Sequence, residues 1–166
     1  GNGGAGGTVT INGGMVTATG GDGGAGIGGG DLGSGGELTI NGGAVIAKAG
    51  TEAADIGPGA YGSGGEIQIT GGIFGMNLLT DWIPTGYVAF ENPDDQTRGT
   101  YPWKVSQSVT VTLEGGLPPK LAVAWTIGDG KRVNVNSASF AVPSGLSGNL
   151  KVFFRPKTGY WFDDGS

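Results

Sequence analysis

One feature constrains this chain more than any other: it repeats. Residues 7–34 read GTVTINGGMVTATGGDGGAGIGGGDLGS, residues 36–63 read GELTINGGAVIAKAGTEAADIGPGAYGS, and residues 65–75 open a third copy, GEIQITGGIFG. The copies start 29 residues apart, 36−7 and 65−36, without slippage. A fixed period in this range means stacked structural units, each too small to bury its apolar face alone.

The repeat columns are of three kinds. The apolar columns are Val9/Leu38/Ile67 and Ile11/Ile40/Ile69, then Val16/Val45/Phe74 and Ala18/Ala47/Met76. Alternation with β-branched residues predicts half-buried strands rather than helices. The second kind is a glycine pair between those strands, Gly13-Gly14, Gly42-Gly43 and Gly71-Gly72, where positive φ allows a tight corner. The third is a glycine-rich side, AGIGGG at 25–30 echoed as ADIGPG at 54–59, whose Ile27/Ile56 column supplies another inward residue. The outward columns, Thr8/Glu37/Glu66 and Thr10/Thr39/Gln68, are polar. Two strands, a corner and a third side make one 29-residue coil of a parallel β-helix, a β-solenoid whose coils stack at about 4.8 Å. Of 39 glycines, 29 lie in residues 1–75, as in a flexible linker, but a linker keeps no apolar register over three copies.

These strings resemble the glycine-rich repeat regions of large bacterial cell-surface proteins, through GGTVTINGGMVTATGG, AGIGGG and GGELTINGGAVIAKAG over residues 1 to about 76. The resemblance continues in Gly71-Gly72-Ile73-Phe74, in Gly86-Tyr87-Val88-Ala89-Phe90-Glu91-Asn92 and in Gly99-Thr100-Tyr101, with the link between the last two lengthened by residues 93–98. It implies a right-handed parallel β-helix with a structural or adhesive role, and it does not specify a ligand.

Charge and missing residue types narrow the function. Formal net charge is −5, and residues 1–75 hold six acids against the single base Lys48. An acidic first half with no basic cluster argues against nucleic acid. Without cysteine there are neither disulfides nor thiolate metal sites, which fits an exported protein that folds without an oxidase. Without histidine the commonest general base and metal ligand are missing. No signal peptide, transmembrane run or sorting motif is visible. Gly4-Ala5-Gly6 maps onto Gly33-Ser34-Gly35, so the chain opens inside a repeat and is expected to be a segment of a longer protein.

After the repeats the pattern changes. Residues 77–103 gain large apolar side chains and are expected to cap the last coil, with Trp82 and Phe90 closing the core and a turn at Asn92–Asp95. The first domain is therefore expected at 1–103. Residues 104–166 read as a small antiparallel β-sandwich-like module. Its strands are expected at Val105–Leu113, Leu121–Ile127, within Arg132–Val142, at Leu150–Arg155 and near Lys157–Phe162, with a hairpin turn at Gly128–Gly130.

The candidate chemistries are few. Parallel β-helices that cut polysaccharides need paired carboxylates, yet Asp31 aligns with Ala60, Asp22 with Thr51 and Asp55 with Gly26. Gly28–Leu32 resembles a calcium-binding nonapeptide, but the aspartate is missing from the next copy, where a structural calcium site would keep it. Asp94-Asp95 and Asp163-Asp164 read as solvated loop acids. The TxT patterns at Thr8/Thr10 and Thr17/Thr19 give way to Glu37 and Lys48, so no ice-binding threonine array persists. Glycan binding is the site hypothesis that remains. Trp103, Trp125, Tyr160 and Trp161 could stack on sugar rings, with Trp125 and Phe153 the candidates for core instead. One of Tyr160/Trp161 and one of Phe153/Phe154 should face outward.

The expectation is a non-catalytic segment of an extracellular bacterial surface protein. It would act as an adhesin, stalk or display scaffold, with a glycan or a host or cell-surface protein as partner, and without metal, cofactor, nucleic acid or membrane span. The alternatives are a phage receptor-binding or tail-fibre piece, which trimeric assembly would favour, and a carbohydrate-active enzyme fragment.

Overall fold

Alternating residues become strands, and the glycines between them become corners. The computed structural model describes residues 3–92, 99–127, 132–135, 137–145 and 148–157. The first copy contributes β1 (Thr8–Ile11), β2 (Met15–Thr19) and β3 (Ile27–Gly28). The second contributes β4 (Glu37–Ile40), β5 (Ala44–Lys48) and β6 (Ile56–Gly57), and the third β7 (Glu66–Ile69) and β8 (Gly72–Phe74). Then follow β9 (Tyr87–Glu91), β10 (Trp103–Thr112), β11 (Leu121–Ile127), β12 (Val133–Val135), β13 (Ser139–Pro143) and β14 (Leu150–Pro156). The protein is all-β, with several sheets, none of them closed. Two compact units divide at Gln107/Ser108.

In the first unit, equivalent strands of successive copies pair in parallel at the repeat offset. Val9 lies opposite Leu38 and Leu38 opposite Ile67, Val16 opposite Val45, and Ile27 opposite Ile56. The corner between the two longer strands forms as expected, with the second glycine of each pair at positive φ: +79° at Gly14, +100° at Gly43 and +118° at Gly72. Glycine has a separate role along the third side, where neighbouring copies bring backbone against backbone. A Cβ on Gly59 would lie 1.9 Å from the Gly30 carbonyl oxygen.

Ile11, Leu38, Ile40, Val45, Ala47, Ile56, Ile69, Phe74 and Met76 form one core. Burial is graded along the columns: Val9 is 38% exposed and Leu38, its neighbour in the second copy, 3%. The middle copy is covered on both sides and the first on one. From the segment after the repeats, Leu78, Trp82, Ile83, Tyr87 and Ala89 pack against this core. Trp82 belongs to a single 3-10 turn, Thr80–Trp82, and Phe90 is buried as well.

This segment contains more order than its sequence suggests. β9 is a full strand, and β10 runs antiparallel between β8 and β9, pairing Trp103 with both Phe74 and Glu91. The sheet that is parallel through β2, β5 and β8 is therefore mixed. Val105, expected in the second module, is buried in the first core.

In the second unit, residues 108–112 of β10 pair antiparallel with β13, while β12, β11 and β14 form an antiparallel sheet. Val123 and Trp125 of one sheet and Phe140 and Val142 of the other meet in a common core, with Val111 and Val152 packed on it. The expected strand at Leu121–Ile127 is found there, and Arg132–Val142 yields two strands. The turn expected at Gly128–Gly130, all of the strand expected near Lys157–Phe162 except Lys157, and all of the Asn92–Asp95 turn except Asn92 lie outside the described residues.

Candidate functional site

Of the four aromatic residues singled out for sugar stacking, two lie within the described residues, one in each unit. Trp125 is 5% exposed and sits in the core of the second unit. Its indole Nε1 is buried without a hydrogen-bond partner among the described residues. Trp103 is half-buried and packs on the core of the first unit. Tyr160 and Trp161 lie outside the described residues. Of the neighbouring phenylalanines, Phe154 is exposed, while the Phe153 ring is covered by the Arg132 guanidinium 4.2 Å from its centroid, a contact between a cation and the negative ring face.

The side chains that do stand out lie on the repeat's third side. Three non-glycine residues take left-handed backbone conformations: Leu32 at φ +60°, Glu52 at +58° and Tyr61 at +54°. For L-residues this region costs about 1–2 kcal/mol each, because Cβ crowds the following carbonyl. All three are exposed, Leu32 at 58% and Tyr61 at 79%.

Their repeat positions matter. Leu32 and Tyr61 are 29 residues apart, in one column with Gly3, itself at φ +72°. Glu52 is 29 residues beyond Gly23, at φ +65°. Each column therefore takes glycine elsewhere in this chain, in the same conformation and without strain. Adjacent copies hold Leu32 beneath Tyr61, with the Leu32 N–H donating to the Ala60 carbonyl at 2.8 Å.

The acids alternate between copies for a steric reason. A Cβ on Gly23 would come within 2.9 Å of the Asp31 Cβ, so the copy that carries Asp31 has glycine opposite it. The next copy carries Glu52 in that place and the small Ala60 in the Asp31 column. Between these two columns each copy carries one carboxylate, Asp31 in the first and Glu52 in the second. Hydrogen bonding to the Glu52 carboxylate above all, then partial desolvation and the nearby Asp31 charge, raises the Tyr61 phenol above its ordinary pKa.

Asp55, on the same side, is engaged in the fold: its Oδ1 accepts the Ala49 N–H at 2.8 Å. Among the described residues no three acidic side chains are grouped as a metal would require. An exposed aromatic ring, a leucine and two carboxylates suit the binding of a ligand that has one apolar face and several hydrogen-bond donors.

The repeat alignment carries a signal for this corner, a column that is glycine in one copy and a large side chain in the next. That signal is independent of the tryptophans on which the sugar-stacking expectation rests. No family model, curated protein or solved structure matches this chain.

Proposed function

We propose that the chain is a non-catalytic segment of an extracellular bacterial surface protein, in which 29-residue coils of a parallel β-solenoid form a stiff stalk or display face. Residues 77–103 cap the last coil, and the small β module follows. Adhesion or display rests on many weak contacts to glycan or to a host or cell-surface protein.

One observation carries the reading: three sets of parallel pairings keep the 29-residue register while the column Thr8/Glu37/Glu66 stays polar and exposed. Such a lattice repeats the same surface chemistry at fixed intervals along a rigid axis, which suits multivalent contact. The resemblance of the glycine-rich strings to bacterial surface repeats agrees with it.

The test is binding of the fluorescently labelled 166-residue chain to intact bacterial and epithelial cells and to isolated cell-wall material. Saturable binding, competed by unlabelled chain, is expected on at least one of these surfaces, with no release of reducing sugar. Absence of binding on all of them, or release of reducing sugar, overturns the proposal.

A further inference from the structure

Edge strands of a sheet commonly carry a guard against further pairing: a lysine, a proline, a bulge or an inward charge. The strands at one end of the repeats carry no charge and no proline. Among the described residues β1, β2 and β3 each pair on one side only, β1 with β4, β2 with β5 and β3 with β6. Their sequences are TVTI, MVTAT and IG. Charge enters these columns only in the later repeats, at Glu37, Lys48 and Glu66. The repeat whose strands are uncharged is therefore the one at the open edge.

The core is open at the same end. Val16, Ala18 and Ile27 are half-buried where Val45, Ala47 and Ile56, one repeat further on, are buried. Elsewhere in this unit such a column is covered by the next strand of the same sheet.

The backbone selects the pairing that fits. The Gly20 N–H donates to the Lys48 carbonyl, and the Gly14 carbonyl accepts from the Ala44 N–H. Even-numbered residues of β2 therefore turn their backbone groups toward β5, and Met15, Thr17 and Thr19 turn theirs to the open edge. One antiparallel self-pairing uses all five residues: Met15 opposite Thr19, Val16 opposite Ala18 and Thr17 opposite Thr17. In that register edge-facing residues meet edge-facing residues, Val16 and Ala18 stay on the core side, and no charges oppose each other. At the far end of the same sheet β10 already lies along β8. Head-to-tail addition is blocked there, whereas a two-fold pair closes on itself.

We infer that the β2 edge is a dimer interface, at which a second molecule of this chain adds its own β2 antiparallel and continues the β8-β5-β2 sheet across a two-fold axis at Thr17. The inference goes beyond the adhesive reading and does not depend on it.

The experiment is sedimentation equilibrium of the 166-residue chain over about a hundredfold range of concentration. The mass is expected to rise from 16.4 kDa toward twice that value. Thr17→Lys sets two ammonium groups opposite each other and should weaken the dimer by about tenfold or more. Gln68→Lys, equally exposed but in the third repeat, should leave it unchanged. Circular dichroism checks that both variants fold. Because the chain has no cysteine, Thr17→Cys offers a second readout: a short bis-maleimide should link it into a covalent dimer, and should leave Gln68→Cys monomeric. A monomer at every concentration, a trimer, a dimer indifferent to Thr17→Lys, or equal cross-linking at the two positions overturns the interface.

Discussion

The Asn41 amide Nδ2 donates to the Asn12 Oδ1 at 2.9 Å across a sequence separation of 29 residues. Thr70, a further 29 residues on, donates its hydroxyl to the Asn41 Oδ1 at 2.8 Å. The three side chains form a polar ladder at the corner before the glycine pair, tying each copy to the next. Asn41 is the middle rung and takes part in both bonds. Asn41→Ala should therefore cost more than Asn12→Ala or Thr70→Ala. Two exposed hydrogen bonds at about 0.5–1 kcal/mol each predict a loss of about 1–2 kcal/mol. Urea denaturation of the three variants checks the order, and equal losses in all three would show that the two bonds do not contribute additively.

Backbone contact along the third side makes a second, sharper contrast. A Cβ on Gly59 would meet the Gly30 carbonyl oxygen at 1.9 Å, whereas a Cβ on Gly13 meets nothing within 4 Å. Gly59→Ala must push two copies apart and should destabilise by about 3 kcal/mol or more. Gly13→Ala should stay within about 0.5 kcal/mol of the parent. Thermal melts of the two variants are sufficient, and a tolerated Gly59→Ala would mean that the copies are not stacked so closely.

Ile40 is fully buried between the first and third copies. Ile40→Ala should cost about 2–5 kcal/mol through lost transfer energy and the cavity left behind. The first-copy equivalent of its neighbour, Val9, is 38% exposed, so Val9→Ala should cost under about 1 kcal/mol. The comparison is read from urea midpoints, and similar losses at both positions would contradict the graded burial.

Leu32→Gly separates strain from stability. Glycine removes a left-handed penalty of about 1–2 kcal/mol. It also raises the entropy of the unfolded chain, which offsets about 0.4–1 kcal/mol. The melting temperature should stay level or rise slightly. A clear drop would mean that the Leu32 side chain supports the fold, against its 58% exposure.

The Tyr61 phenol should titrate above an ordinary tyrosine, since only its neutral form donates to Glu52. The stabilisation from this bond is complete below the ordinary phenol pKa of about 10 and is lost as pH rises through the higher folded value. Difference absorbance near the phenolate band, parent minus Tyr61→Phe, isolates this one ring. Glu52→Gln should move its transition back down, and an unmoved transition would show that Glu52 does not hold the hydroxyl.

Legibility in the amino-acid sequence depends on where a residue sits in the repeat. The columns Val9/Leu38/Ile67 and Val16/Val45/Phe74 can be aligned by counting, because a strand exposes alternate residues to one side and a 29-residue period superimposes those sides. The corner at Gly13-Gly14 is equally plain, since a glycine pair between alternating stretches permits the positive φ a tight turn requires. The corner with Leu32 and Tyr61 is half-legible. Its column holds glycine in the first copy and large side chains in the next two, but φ is a property of the folded backbone and the letters Leu and Tyr do not announce it.

Past residue 76 the period ends, and with it the internal comparison that makes the first part readable. A short apolar run still locates β11, LAVAWTI, bounded by turn residues. It does not reveal that β10 enters antiparallel between β8 and β9, because strand direction in a sheet depends on which edge is open when the chain returns. Nor can it decide Trp125. An indole suits a sugar face and a protein core equally well, and only the meeting of β11 with Phe140 and Val142 puts it inside. The sequence by itself determined the period, the strands and the corners, all of which follow from local sterics and from residues that recur. The tertiary structure alone decided strand direction beyond the repeat, which aromatics are buried and which side chains are held exposed at a strained backbone, because each depends on contacts between segments far apart in the chain.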